Sequence, residues 1–443
     1  MAFPLAAWLG SLCLRMSSSS RKRRRTTHSL ARCRLSLEEL EDRSLPSTGA
    51  TAAAVPLGVV IHAPDHGSWN LNGQGGPVST GRASDHAGHL GSPQSGVGPA
   101  GGYTPNQIRT AYGFYNIAGL SAVNYNSTAG KGQTIAIVDA YDDPNIAADL
   151  HVFDSRFGLP DPVFTKATPE GAPAAASSGW SMEIALDVEW AHAIAPAAKI
   201  LLVEAKNNYY SNLLAAVDYA DRQPGVVAVS MSWGSGEFSA ETSAWYDGHF
   251  AGHPGVVFVA ASGDSGAPPL WPAVSPNVLA VGGTSLRADG WGDYLGETGW
   301  GNGSESLYYG GSGGGPSQFE PKPSYQAGIT LGGTHRTSPD VAYDANPNTG
   351  FSVYDSFGNG GWILVGGTSA GAPQWAALVA LADQQRTSPL STLQVLTALY
   401  HHPADFHDIT WGNNGYQAGP GYDLVTGLGS PIANLIVKDL KTA

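Results

Sequence analysis

A chain of 443 residues has room for one large domain or two ordinary ones, and for a sizeable buried core. Its 36 acidic residues outnumber 23 basic ones; residues 1–47 hold nine of the basic residues and four of the acids, which leaves 14 basic and 32 acidic residues and a net charge of −18 on the remainder. A body this acidic argues against a broad electrostatic grip on nucleic acid or an anionic membrane, and with both cysteines at Cys13 and Cys33 the rest of the chain can form neither a disulfide nor a thiolate metal site.

Residues 1–47 read as an export or sorting segment. MAFPLAAWLGSLCL is apolar but too short to span a bilayer. The basic run RKRRR at 21–25 follows it, the reverse of a secretory signal; a start at Met16 would restore the usual order. The stretch LSLEELEDRSLPS (35–47) resembles an N-terminal motif carried by exported proteins of some bacteria. The expectation is a secreted or cell-surface protein with no integral membrane span, acting as a monomer. Residues 48–102 are rich in Gly, Ser, Ala, Pro and His and lack an apolar period, which is linker composition. The globular domain is expected from 103 to 443.

Within that domain, short apolar runs alternate with helical patterns. QTIAIVDAY (133–141), KILLVEA (199–205), VVAVSMSWG (226–234), VVFVAASGDSG (256–266) and SPNVLAVGGTS (275–285) read as buried strands. SMEIALDVEWAHAIA (181–195), which stops at Pro196, NLLAAVDYADRQ (212–223) and APQWAALVALADQQ (372–385) read as helices. The alternation predicts an α/β fold, a parallel sheet with helices on both faces. Ligands in such folds bind beyond the carboxyl ends of the strands, so the turns carrying Trp233, Asp264 and Ser369 should share one rim.

The string LVGGTSAGAP (364–373) places Ser369 at the mouth of an apolar helix. Gly-Thr-Ser-Ala-x-x-Pro in that position resembles the nucleophile motif of subtilisin-type hydrolases, where backbone N–H groups and the helix dipole favour a developing negative charge. Taken alone, a serine there could equally be an N-cap. A subtilisin also needs a histidine in a His-Gly-Thr context, and none exists: His66 lies in the linker, and His192, His401 and His402 are followed by Ala, His and Pro. A serine hydroxyl still requires a base. Glu183 and Asp187, four apart, share one face of the helix at 181–195, hemmed by Ile184, Leu186 and Trp190. Two carboxyls buried together cannot both ionise easily, and such a pair can take a proton from Ser369. Glu189 is expected to point away into solvent. Asp264, among glycines at a strand end, is either a turn residue or, when protonated, a donor to an oxyanion, which would favour chemistry at acid pH.

With EIALDVEWAHAIAP, ASGDSG and GGTSAGAP in this order, the chain from about 103 to 440 resembles the sedolisin family of serine-carboxyl peptidases. The resemblance implies a subtilisin-like fold and hydrolysis of polypeptides. It makes Ser369 the nucleophile, Glu183 the general base and acid, Asp187 the partner orienting Glu183, and Asp264 the oxyanion donor together with the Ser369 N–H. Asp139 matches a carboxylate that extends this network, often a longer Glu in relatives, and Trp233 a tryptophan beside it. The SWG strand and GSGGGPSQF (311–319) would flank an extended substrate. The resemblance also implies one structural calcium ion in the loop 406–430, held by the Asp408 and Asp423 carboxylates and the carbonyls of Ile409, Gly419 and Gly421, an all-oxygen set that suits a hard cation. Members of the family usually carry a long folded prodomain; about 100 residues precede the core here, so folding without one and trimming at the linker both stay open. Two other readings also stay open: an inactive surface module that binds peptides, and a subtilisin with an unusually placed histidine.

Overall fold

The computed structural model describes residues 97–302 and 310–443. The readings made of residues 1–47, and of the linker up to residue 96, lie outside the described residues. By residue 97 the chain is already engaged: the Val97 N–H donates to Gln107 Oε1 (3.2 Å) and the Ser352 hydroxyl to the Pro99 carbonyl (2.6 Å).

A nine-stranded sheet forms the centre. Its strands are β1 (Thr134–Ala140), β2 (Phe164–Ala167), β3 (Lys199–Ala205), β4 (Val226–Met231), β5 (Val257–Ala261), β6 (Leu279–Ala288), β7 (Tyr294–Asn302), β8 (Val341–Asp344) and a short edge strand at Gly412–Asn413. The order is Gly412–Asn413, β7, β6, β5, β4, β1, β3, β2, with β8 also pairing β6. All pairs are parallel except β6 with β7. Every residue of β1, β4 and β5 is buried, which is why these runs are apolar on both faces instead of alternating.

Four helices matter for the site: α1 (Ile146–Phe157), α2 (Ser178–Ile194), α3 (Tyr210–Ala220) and α4 (Gly371–Asp383). The five strands and three helices expected from the sequence are all present, with ends shifted by a few residues. α2 starts earlier than its apolar pattern because Ser177 caps it, accepting from the Trp180 N–H. The sequence pattern did not signal β7, β8 or the hairpin Phe351–Asp355/Gly361–Val365.

α2 and α4 pack on each other and on the sheet, and α3 covers β1 and β3. The hairpin lies against α2 and α1. α2 is therefore enclosed: every residue from Trp180 to Ile194 is buried, as expected of a helix that is hydrophobic nearly all round. The chain leaves β1 toward β3 on one side and returns to β4 on the other. The sheet thus reverses at β1, and in such folds ligands bind beyond the carboxyl ends at that point.

Candidate active site

The carboxyl ends of β1, β4 and β5 lie side by side, which sets three functional segments on one rim. β1 delivers Asp139, fully buried. β4 runs into Ser232 and Trp233, and β5 into Ser262, Gly263 and Asp264. The Trp233 indole donates to the Val138 carbonyl at 2.8 Å, so it braces the strand beside Asp139.

Ser369 sits on a 3-10 turn, Thr368–Ala370, that feeds into α4. Its hydroxyl caps nothing: Ala370 occupies the N-cap position, and Ser369 Oγ is buried without a hydrogen bond. The N-cap alternative is thereby removed. Gly367 enters the turn at φ 125°, a conformation open to glycine.

Asp264 is tied to the residue before the serine. Its Oδ1 accepts from the Thr368 N–H (2.7 Å) and the Thr368 hydroxyl (2.8 Å). The Gly263 N–H in turn donates to Thr368 Oγ1 at 3.1 Å. Asp264 is only 5% exposed. It is thus a fixed member of the serine turn, not a solvated turn residue.

α2 packs against the same turn and carries Glu183 and Asp187, both fully buried. Burial pushes the Asp187 carboxyl well above the usual range, and the negative charges of Asp139 and Glu183 add to it. The neighbouring Ser232 hydroxyl works in the opposite direction. Ser232 also donates to the Ser369 carbonyl at 3.4 Å, so one side chain touches both halves of the site. Sequence reasoning passed over Ser232 and Thr368; their only signal was adjacency, Ser232 to Trp233 and Thr368 to Ser369.

One expectation is corrected. Glu189 is not solvated. It is fully buried, accepts the Tyr354 N–H at 3.0 Å, and is held well above the usual carboxylate range by burial and by the charges of Asp149, Asp154 and Asp355. The hairpin covers the helix face that the period assigned to water. The glycine run packs against the Asp264 turn. Residues 311–315 are buried, and exposure begins only at Gln318 and Phe319. The Gly313 N–H donates to the Gly263 carbonyl (2.7 Å) and the Ser262 hydroxyl to the Gly313 carbonyl (2.8 Å). The run supports the Asp264 turn from beneath.

The histidine on α2 is engaged elsewhere. His192 Nε2 lies 3.2 Å from Asp154 and 2.9 Å from the Pro160 carbonyl. In the C-terminal loop the Gly421 N–H reaches Asp408 (3.0 and 3.1 Å) and the Gly419 N–H reaches Asp423 (3.0 Å). Asp423 also accepts from the Val425 and Thr426 amides. The two carboxylates are thus clipped to one short turn by backbone N–H groups, and carboxylates on such a loop are the ligand type a hard cation takes. Among the described residues no helix is long and apolar enough to cross a membrane.

The family model for the subtilase family matches residues 174–427. Kumamolisin from Bacillus sp. (strain MN-32) is 36% identical over 376 residues, covering 76% of this chain and 63% of kumamolisin. Sedolisin from Pseudomonas sp. (strain 101) is 32% identical over 238 residues, 48% of this chain and 40% of that protein. The chain therefore spans less than two thirds of these curated relatives. A solved structure of Pseudomonas sedolisin, a serine-carboxyl proteinase complexed with two molecules of pseudo-iodotyrostatin, superposes with a TM-score of 0.67 at 27% identity, covering 78% of this chain and 99% of that one.

Proposed function

Because this chain belongs to the sedolisin family within the subtilases, we propose that it is a serine-carboxyl endopeptidase that hydrolyses polypeptides at acid pH. The observation that carries the reading is the burial of Glu183 and Asp187 on a helix packed against the Ser369 turn, with Asp139 buried at the end of β1 beside them and Asp264 bonded to that turn through Thr368.

In the first step Glu183 accepts the Ser369 Oγ proton as Oγ attacks the scissile carbonyl carbon. Asp187, whose carboxyl is pushed well above the usual range by burial and by Asp139, is the partner that orients Glu183. The carbonyl oxygen becomes an oxyanion, met by the Ser369 N–H and by the protonated carboxyl of Asp264. An ionised Asp264 would repel that oxygen, so this donor works only while it keeps its proton. Collapse expels the amine, which takes the proton from Glu183 and leaves an acyl group on Ser369. Water then repeats the sequence, giving its proton to Glu183 and releasing the acid. Trp233 and Asp139 support the carboxyl pair from the sheet side.

A calcium ion held by Asp408, Asp423 and the carbonyls of Ile409, Gly419 and Gly421 would be structural, tying the C-terminal loop without entering the chemistry. Export, as a monomer, follows the reading of the stretch at 35–47, and the lack of cysteine after residue 33 does not exclude it.

The test is cleavage of a denatured protein at acid pH by the full chain and by Ser369→Ala and Glu183→Gln, each with and without a histidine-directed chloromethyl ketone. The reading expects both variants to be inactive and the wild type to be unaffected by the reagent. Inactivation by the reagent, or full activity in Glu183→Gln, would refute it. A chain without activity in any form would favour the peptide-binding module.

A further inference from the structure

α2 is acidic on two sides. Glu183 and Asp187 face β1 and the serine turn, whereas Glu189, about 200° further round from Asp187, faces α1 and the hairpin. A second group of buried acids gathers there. Asp143 follows β1, Asp149 is in the first turn of α1, and Asp355 ends the first hairpin strand. Their exposures are 0%, 2% and 0%, and one carboxylate oxygen from each lies within 4.8 Å of the other two.

Most of these oxygens have donors. Ser356 gives its N–H (2.8 Å) and hydroxyl (2.7 Å) to Asp149. Asp355 accepts from the Gly358 N–H (2.8 Å), the Ser181 hydroxyl (2.8 Å) and Asn359 (2.7 Å). Asp143 Oδ1 accepts the Asn145 N–H at 2.8 Å. Asp143 Oδ2 is different: it is buried and has no hydrogen-bond partner. A carboxylate oxygen left bare in the interior costs free energy unless a proton or a cation meets it. Lys166 is not that cation. It donates to the Asp143 carbonyl, and its ammonium is divided between Asp142 and Glu204.

The spacing decides what would fit. Oxygen ligands lie about 2.3–2.6 Å from calcium, so two ligands of one ion are at most about 5 Å apart. Three carboxylate oxygens within 4.8 Å of one another satisfy that limit. The neighbouring groups are oxygen donors as well, the Ser356 and Ser181 hydroxyls, and there is no thiol among the described residues. We propose that Asp143, Asp149 and Asp355 hold a divalent, calcium-class cation separate from the C-terminal loop. The ion joins the segment after β1, the start of α1 and the hairpin to the first turn of α2, through Ser181, two residues before Glu183.

The proposal does not depend on the peptidase reading, because its test counts ions. Calcium bound to the full chain near pH 7 is measured by equilibrium dialysis, together with the melting temperature with calcium and with chelator. Asp143→Asn, which keeps the Asn145 contact, is expected to bind one equivalent fewer than wild type and to lose part of the calcium-dependent rise in melting temperature. Its melting temperature at acid pH in chelator, where the acids are protonated, should equal that of wild type and so report an intact fold. Asp408→Asn/Asp423→Asn is expected to retain one equivalent. Unchanged stoichiometry in Asp143→Asn, or no calcium bound by the loop double variant, would overturn the site. So would a rise in melting temperature for Asp143→Asn that is equal with and without calcium, since that describes a cluster that only shares protons.

Discussion

Glu183 and Asp187 are equally buried and four residues apart, yet they are given different work by what lies beside them. Burial and the charge of Asp139 push the Asp187 carboxyl well above the usual range; in the proposed mechanism Glu183 is the group that exchanges a proton with Ser369. Removing the exchangeable site should stop the reaction: Glu183→Gln is expected to lower kcat by roughly 10²–10⁴-fold with an unchanged circular dichroism spectrum. Ser232 offers a finer test. Its hydroxyl favours the charged form of Asp187, so Ser232→Ala should let Asp187 keep its proton to higher pH and move the alkaline limb of the pH–rate profile upward. A profile that drops in height without moving would remove Ser232 from the network.

The elements explain what could be read in advance. β1, β4 and β5 were legible because parallel strands buried on both faces are continuous apolar runs, and the Glu183/Asp187 pair because helical spacing puts i and i+4 on one face. Glu189 was misread because its face is covered by a hairpin more than 160 residues later, and local periodicity holds no information about a partner that distant. The packing partner of the glycine run at 311–315 was hidden for a related reason. Glycines signal a close approach without naming what approaches, and here it is the Asp264 turn. A Cβ at Gly313 would lie 2.0 Å from the Ser262 carbonyl oxygen, far inside contact distance. Gly313→Ala should therefore cost at least about 1–3 kcal/mol, seen as a lower melting temperature, and should reduce kcat by displacing Asp264. Wild-type stability in that variant would contradict the packing.

The molecule as a whole is built around carboxyls that prefer to be protonated. Burial raises Asp143 to about 6, Glu204 and Asp383 to about 7, Glu320 to about 8 and Glu241 to about 9. In the unfolded chain these acids ionise near 4. Between about pH 4 and each folded value the native state thus binds more protons than the unfolded state, and stability must fall as pH rises. Melting temperatures measured in chelator should be highest on the acid side and decline steadily toward about pH 8; a maximum at neutral pH would contradict these environments. Excess chelator added to calcium-loaded protein near pH 7 should lower the melting temperature by several degrees, through loss of ligand that binds only the folded state. The central claim is that carboxyl groups, and no histidine, drive Ser369. The measurement that tests it most directly is the pH dependence of kcat/KM for cleavage of a denatured protein from about pH 3 to about pH 8, with Ser369→Ala as the blank. The account predicts a maximum on the acid side that is absent in the variant. Activity that climbs through neutrality would mean that a histidine does the work.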